Sequence, residues 1–110
     1  MHNSEVILKQ ARGLAGQLVS RKVDINEVER VLVYARRQRD LEKTIAMIQR
    51  LATQDILIYS NRTKIYAKTM LQVLTPALKR AVDVDFGLLL LGWIVRFMRY
   101  EGAQRNRGEN

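Results

Sequence analysis

Ten consecutive uncharged residues, Phe86 to Val95, limit the folds open to this chain more than any other feature. On a helix, Phe86, Leu88, Leu89, Leu90, Leu91, Trp93, Ile94, Val95, Phe97 and Met98 point in nearly every direction. A helix that is apolar on every side is stable in water only when it is covered on every side. The segment therefore predicts the central helix of a bundle, or a helix shared with another subunit. It is too short to cross a bilayer, which takes about 20 residues, and Arg96 interrupts it. Met1 to Gln10 hold no apolar stretch behind basic residues, so they do not read as a signal peptide. Together these features predict a soluble cytoplasmic protein with no membrane attachment.

The rest of the chain carries helical periodicity. Ser4 is a candidate cap for a first helix, with Ile7, Ala11, Leu14, Ala15 and Leu18 on one face. Gly13 and Gly16 weaken that helix but leave room for a neighbour to approach. Arg21 to Val23 read as a connection. Asp24 and Glu27 have the spacing of a capping box, followed by the stripe Ile25, Val28, Val31, Leu32 and Ala35. The stripe stops over residues 36–40 and resumes at Leu41, Ile45, Ile48, Leu51 and Ala52. Leu41 would lie about 240° around the axis from Ala35, so either one long helix changes its buried face or the chain turns. Asp40 is a suitable cap, which favours the turn. Residues 55–60 could make a short strand or a buried helical turn, but a strand would have no second strand to pair with, so they read as helix or packed connection. Ser60 opens the next helix, whose face is Tyr66, Met70, Val73, Leu74 and Ala77. Pro76 predicts a restart capped by Thr75, with a kink in one helix as the competing reading. Asp83 and Asp85 are caps for the last helix, which runs from Phe86 to about Tyr100 and stops at Gly102. The expectation is an all-α compact bundle of five or six helices. Residues 1–102 form one helical domain, and residues 103–110 form a disordered basic tail.

Catalytic chemistry is sparse. The chain has no Cys, which removes disulfides and thiolate metal sites. Its single His, His2, stands beside the initiator Met, a poor place for a general base. Glu27 and Glu29 are two apart on a helix and diverge, and no phosphate-binding glycine loop occurs. The expectation is a protein that is not an enzyme, with no metal, cofactor or small-molecule substrate.

Charge is the informative property. Nineteen basic residues, thirteen of them Arg, stand against eleven acidic ones, for a net charge of +8. Arg offers phosphate a planar fork of donors and stacks on bases. Residues 56–82 contain no acid but carry Arg62, Lys64, Lys68, Lys79 and Arg80. A second group holds Arg36, Arg37, Arg39, Lys43 and Arg50. If the helix were continuous, Arg36, Lys43 and Arg50 would line one side over roughly 21 Å. Tyr34, Tyr59 and Tyr66 are candidate stacking platforms, although covering the core with their hydroxyls in water is the favoured explanation. On the last helix, Arg96 and Arg99 break the apolar surface where it emerges or meets a partner. With Trp93, Phe97 and Tyr100 they form the candidate partner interface.

The stretch Leu71-Gln-Val-Leu-Thr-Pro-Ala-Leu-Lys-Arg-Ala-Val82, followed by Phe86-Gly-Leu-Leu-Leu-Leu-Gly-Trp-Ile-Val-Arg-Phe-Met-Arg-Tyr-Glu101, resembles the small helical subunit of type III CRISPR effector complexes. That resemblance implies a non-catalytic subunit repeated along a guide–target duplex and held among other protein subunits. The charge pattern by itself predicts phosphate contacts, to RNA or single-stranded nucleic acid, through Arg36, Arg37, Arg39, Lys43, Arg50, Arg62, Lys64 and Lys68. The alternative is a helical protein-interaction or homodimerisation module that makes no nucleic-acid contact.

Overall fold

The apolar stripes fold as five helices in the computed structural model, which describes residues 4–53 and 61–108. They are α1 (Ser4–Ser20), α2 (Ile25–Gln38), α3 (Leu41–Thr53), α4 (Asn61–Arg80) and α5 (Val84–Gly108). No strand occurs among the described residues. Residues 55–60, with Tyr59 and Ser60, lie outside the described residues, as does His2.

Two pairs of helices make up the bundle. α1 packs along α5, α3 packs along α4, and α2 sits between the pairs against α3, α4 and α5. The result is a plate of 42 × 41 × 20 Å, about two helix diameters thick. Its core joins Ala11, Ala15 and Leu18 of α1, Val28, Val31 and Leu32 of α2, and Ile45 and Ile48 of α3. Met70 and Leu74 of α4 and Leu90, Leu91 and Ile94 of α5 complete it.

Each connection has a local cause. After α1, Lys22 adopts a left-handed φ of 60°. The Val23 amide then donates to the Leu18 carbonyl at 3.0 Å, and the Lys22 amide to Val19 at 3.0 Å. This closes the helix end in a Schellman arrangement, with Val23 folded onto the core. Asp24 caps α2 by accepting from the Asn26 amide at 2.8 Å. The expected reciprocal arm of that cap is spent elsewhere. Glu27 is buried, and its Oε1 accepts from the Thr63 hydroxyl of α4 at 3.4 Å.

The chain turns between α2 and α3, as the change of stripe suggested. Arg39 takes the left-handed position (φ 49°, ψ 44°) that glycine usually fills. Its amide donates to the Ala35 carbonyl at 2.8 Å, and Asp40 then accepts from the Lys43 amide at 3.0 Å. The line of Arg36, Lys43 and Arg50 expected of a continuous helix is therefore broken.

Three expectations are corrected. α4 does not restart at Thr75: it is one helix containing Pro76. Pro76 lies on its exposed side, so the Gln72 carbonyl that loses its donor is on the face open to water. The last helix does not stop at Gly102 but continues to Gly108, through much of the segment expected to be a disordered tail. Nor is Gly13 a packing notch, since a Cβ there would meet nothing within 4 Å. The close approach occurs instead at Gly87, where a Cβ would lie 2.6 Å from Leu41 Cδ2.

Candidate nucleic-acid interface

α4 presents its core side, including Ala67, Met70, Leu74 and Leu78, to the bundle and the opposite side to solvent. At 100° per residue, Ile65, Lys68, Gln72 and Lys79 fall within about 60° of arc on that outer side. All four are exposed. Lys68 and Lys79 are separated by about 17 Å along the axis, from the 1.5 Å rise. The turn after α1 adds a charge between them, because Arg21 Nη2 donates to Gln72 Oε1 at 2.8 Å. Arg62 and Arg80 are exposed at the two ends of the helix. Sequence spacing identified the acid-free stretch but missed Arg21, whose partner is 51 positions away.

No acid interrupts the sequence between residues 56 and 82. Among the described residues, the ion pairs seen are Arg30 with Glu27, Arg39 with Asp85 and Arg99 with Glu29. None involves α4. Exposed like charges on one face repel unless counterions or a polyanion neutralise them. Lys64 is half-buried and turned off this outer side.

The other expected phosphate contacts divide between helices. Lys43 and Arg50 stay aligned on the solvent side of α3, two turns apart and exposed. Arg37 is exposed on α2. Arg39 is committed to structure: its Nη2 donates to Asp85 Oδ1 at 2.6 Å, tying the α2–α3 turn to the start of α5. Asp85 is thus an ion-pair partner, while Asp83 alone caps α5, accepting from the Phe86 amide at 2.8 Å.

Arg36 lies against α5, and a Cβ on Gly92 would sit 3.6 Å from its Nη2. There it meets residues expected at a partner interface. A cleft of about 320 Å³ between α2 and α5 is lined by Glu29, Val33, Arg36, Gly92, Arg96 and Arg99, among others. Arg99 Nε donates to Glu29 Oε1 at 3.1 Å. The Arg96 guanidinium lies 4.7 Å from the Trp93 ring centroid, a cation–π distance.

α5 is not covered all round within this chain, so of the two readings of its sequence the fully enclosed central helix is corrected. Its buried side holds Leu90, Leu91, Ile94, Val95 and Met98. On the outer side Leu89 is 46% exposed and Tyr100 61%, with Arg96 exposed and Trp93 half-buried between them. Phe97 turns to the α1 flank, beside Leu8, Arg12 and Gly13, with its ring centroid 5.9 Å from that of Trp93. Of the tyrosines considered for stacking, Tyr66 packs against the core and Tyr34 is half-buried.

Among the described residues, no three His, Cys, Asp or Glu side chains gather where they could hold a metal ion. No described helix is long and apolar enough to cross a membrane. No protein-family model, curated protein or solved structure matches this chain.

Proposed function

We propose that this protein is a non-catalytic nucleic-acid-binding subunit of a larger cytoplasmic ribonucleoprotein assembly, with RNA as the favoured ligand. The reading is carried by one observation: the outer side of α4 presents Lys68, Arg21 and Lys79 in a row with no acid in the helix. Arg62 and Arg80 add exposed cations at the two ends of the helix, and Lys43, Arg50 and Arg37 supply further cations that form no ion pair among the described residues. Each cation that meets a phosphate releases condensed counterions, so binding is driven largely by entropy and weakens with salt. Such contacts position the chain on a backbone without reading bases. A subunit that repeats along a duplex needs that property, and the resemblance to small helical subunits of type III CRISPR effectors fits it.

The test is anisotropy of a labelled RNA of roughly 20 nucleotides, titrated between about 50 and 200 mM salt. The expected result is a linear fall of log affinity with log salt, with a slope of about −2 to −4 for three to five contacts. Absence of binding to RNA or DNA at the lowest salt would overturn the proposal. The alternative, an interaction module without nucleic-acid contact, draws on a different surface, the outer stripe of α5.

A further inference from the structure

A second surface has a composition that phosphate binding does not explain. Leu89, Trp93, Arg96 and Tyr100 recur at three- and four-residue intervals on the outer side of α5. Val33 of α2, 51% exposed, stands across the cleft from them. Leu90, Leu91, Ile94, Val95 and Met98 fill the buried side of α5, and of the outer four only Trp93 also packs against the core. Trp, Tyr and Arg around an aliphatic centre is the residue mixture that carries binding energy at protein interfaces. Exposed Val and Leu add nothing to a phosphate contact.

Charge narrows the occupant. Arg36 and Arg96 flank the cleft, and its one acid, Glu29, is already held by Arg99. Arg30 and Arg37, on either side of Val33 along α2, are exposed too. A second copy of this chain would bring the same arginines and a further +8 to the contact, with no free carboxylate in the cleft to receive them. An acidic partner supplies what is missing.

We propose that Leu89, Trp93, Arg96 and Tyr100 of α5, with Val33 and Arg36 of α2, dock an acidic amphipathic helix of a partner protein. Apolar side chains of that helix rest on Leu89, Trp93 and Val33. A carboxylate from it enters the cleft above Gly92, between Arg36 and Arg96, where charge-assisted hydrogen bonds are strong. This is recognition of a helix laid along a groove. It is independent of nucleic-acid binding on α4, and either proposal can fail alone.

Trp93 is the only Trp, so the protein reports on this surface without a label. The probe is a synthetic Leu/Glu helical peptide without aromatics, its Leu residues on one stripe. Controls are a scrambled peptide of the same composition and a version with Lys in place of Glu. The expected result is a saturable change in Trp93 emission with the striped acidic peptide. Both controls and the variant Arg36→Glu/Arg96→Glu should bind at least about tenfold more weakly. Lys68→Glu/Lys79→Glu should bind the peptide as wild type does, and circular dichroism verifies that both variants fold. The proposal is overturned by no response of Trp93, by equal binding of the scrambled peptide, or by wild-type binding in the Arg36/Arg96 variant. A dimer that dissociates on Leu89→Glu would assign the face to a second copy. Loss of the Trp93 response under competing RNA would assign it to nucleic acid. Either result overturns it as well.

Discussion

The solvent sides of α4 and α5 are both left uncovered by the bundle, yet they are built from opposite materials. α4 shows Lys68, Lys79 and the Arg21 guanidinium held on Gln72, with one exposed aliphatic, Ile65. α5 shows Leu89, the Trp93–Arg96 stack and Tyr100, beside Val33 and Arg36 of α2. On α4 the unmatched quantity is charge, because no acid exists between residues 56 and 82 to neutralise it. On α5 it is apolar area, because the buried side of the helix is already complete. A chain under selection only to fold gains from neither. The contrast teaches that one small bundle can expose two surfaces of different chemistry that share no residues.

The largest expected effect tests whether α5 truly has an inside and an outside. Leu90→Ala removes a fully buried side chain and should cost about 2–5 kcal/mol in urea unfolding. Leu89→Ala, one residue away and half exposed, should cost less than about 0.5 kcal/mol. Similar losses at both positions would mean that α5 is covered all round and would remove the basis for a docking face.

A smaller difference is expected between two glycines of the same helix. Gly92→Ala, where the new Cβ would meet only Arg36 Nη2 at 3.6 Å, should stabilise by about 1 kcal/mol through helix propensity. Gly87→Ala should show none of this gain, because Leu41 must rotate away from a Cβ 2.6 Å from its Cδ2. Overpacking of that kind costs about 1–3 kcal/mol. Thermal melts of the two variants compare them directly, and equal stabilisation would place α3 farther from α5 than described.

The smallest effect concerns α4. Lys68→Glu introduces the first acid into its outer row and should change stability by no more than about 0.5 kcal/mol, since exposed pairs are weak. RNA affinity should nonetheless fall measurably. A variant as stable as wild type but weaker on RNA separates binding from folding. A fall in stability of more than about 1 kcal/mol would give Lys68 a structural role.

Much of this arrangement is legible in the sequence. The stripes Val28, Val31, Leu32, Ala35 and Met70, Val73, Leu74, Ala77 are buried where their spacing puts them. Asp40 and Asp24 cap the helices they precede. What escapes is long-range. Periodicity cannot select the inner side of a helix that is apolar throughout: the arginines point to Trp93, Arg96 and Tyr100 as an outer group, but nothing in the spacing sets exposed Leu89 apart from buried Leu90. Arg39 and Arg99 look like phosphate and partner contacts until Asp85 and Glu29, 46 and 70 positions away, are seen to hold them. Arg36 belongs by sequence with Arg37 and Arg39, whereas the packing of α2 on α5 sets it against Gly92. Glu27 has the spacing of a cap, yet burial against α4 takes its carboxylate to Thr63.

The division of labour between the two surfaces is tested most directly by two charge-matched variants on one RNA. Arg21→Glu/Lys68→Glu/Lys79→Glu alters α4's outer side, and Arg30→Glu/Arg36→Glu/Arg96→Glu alters the α2–α5 side. Three reversals of two charges each take the net charge from +8 to +2 in both, so any effect of bulk charge is equal. The α4 variant should lose about 100-fold or more in affinity near 100 mM salt, with a salt slope shallower by about 2–3. The α2–α5 variant should stay within about tenfold of wild type. Equal losses would reduce the binding to net charge, and a larger loss in the α2–α5 variant would contradict the assignment outright.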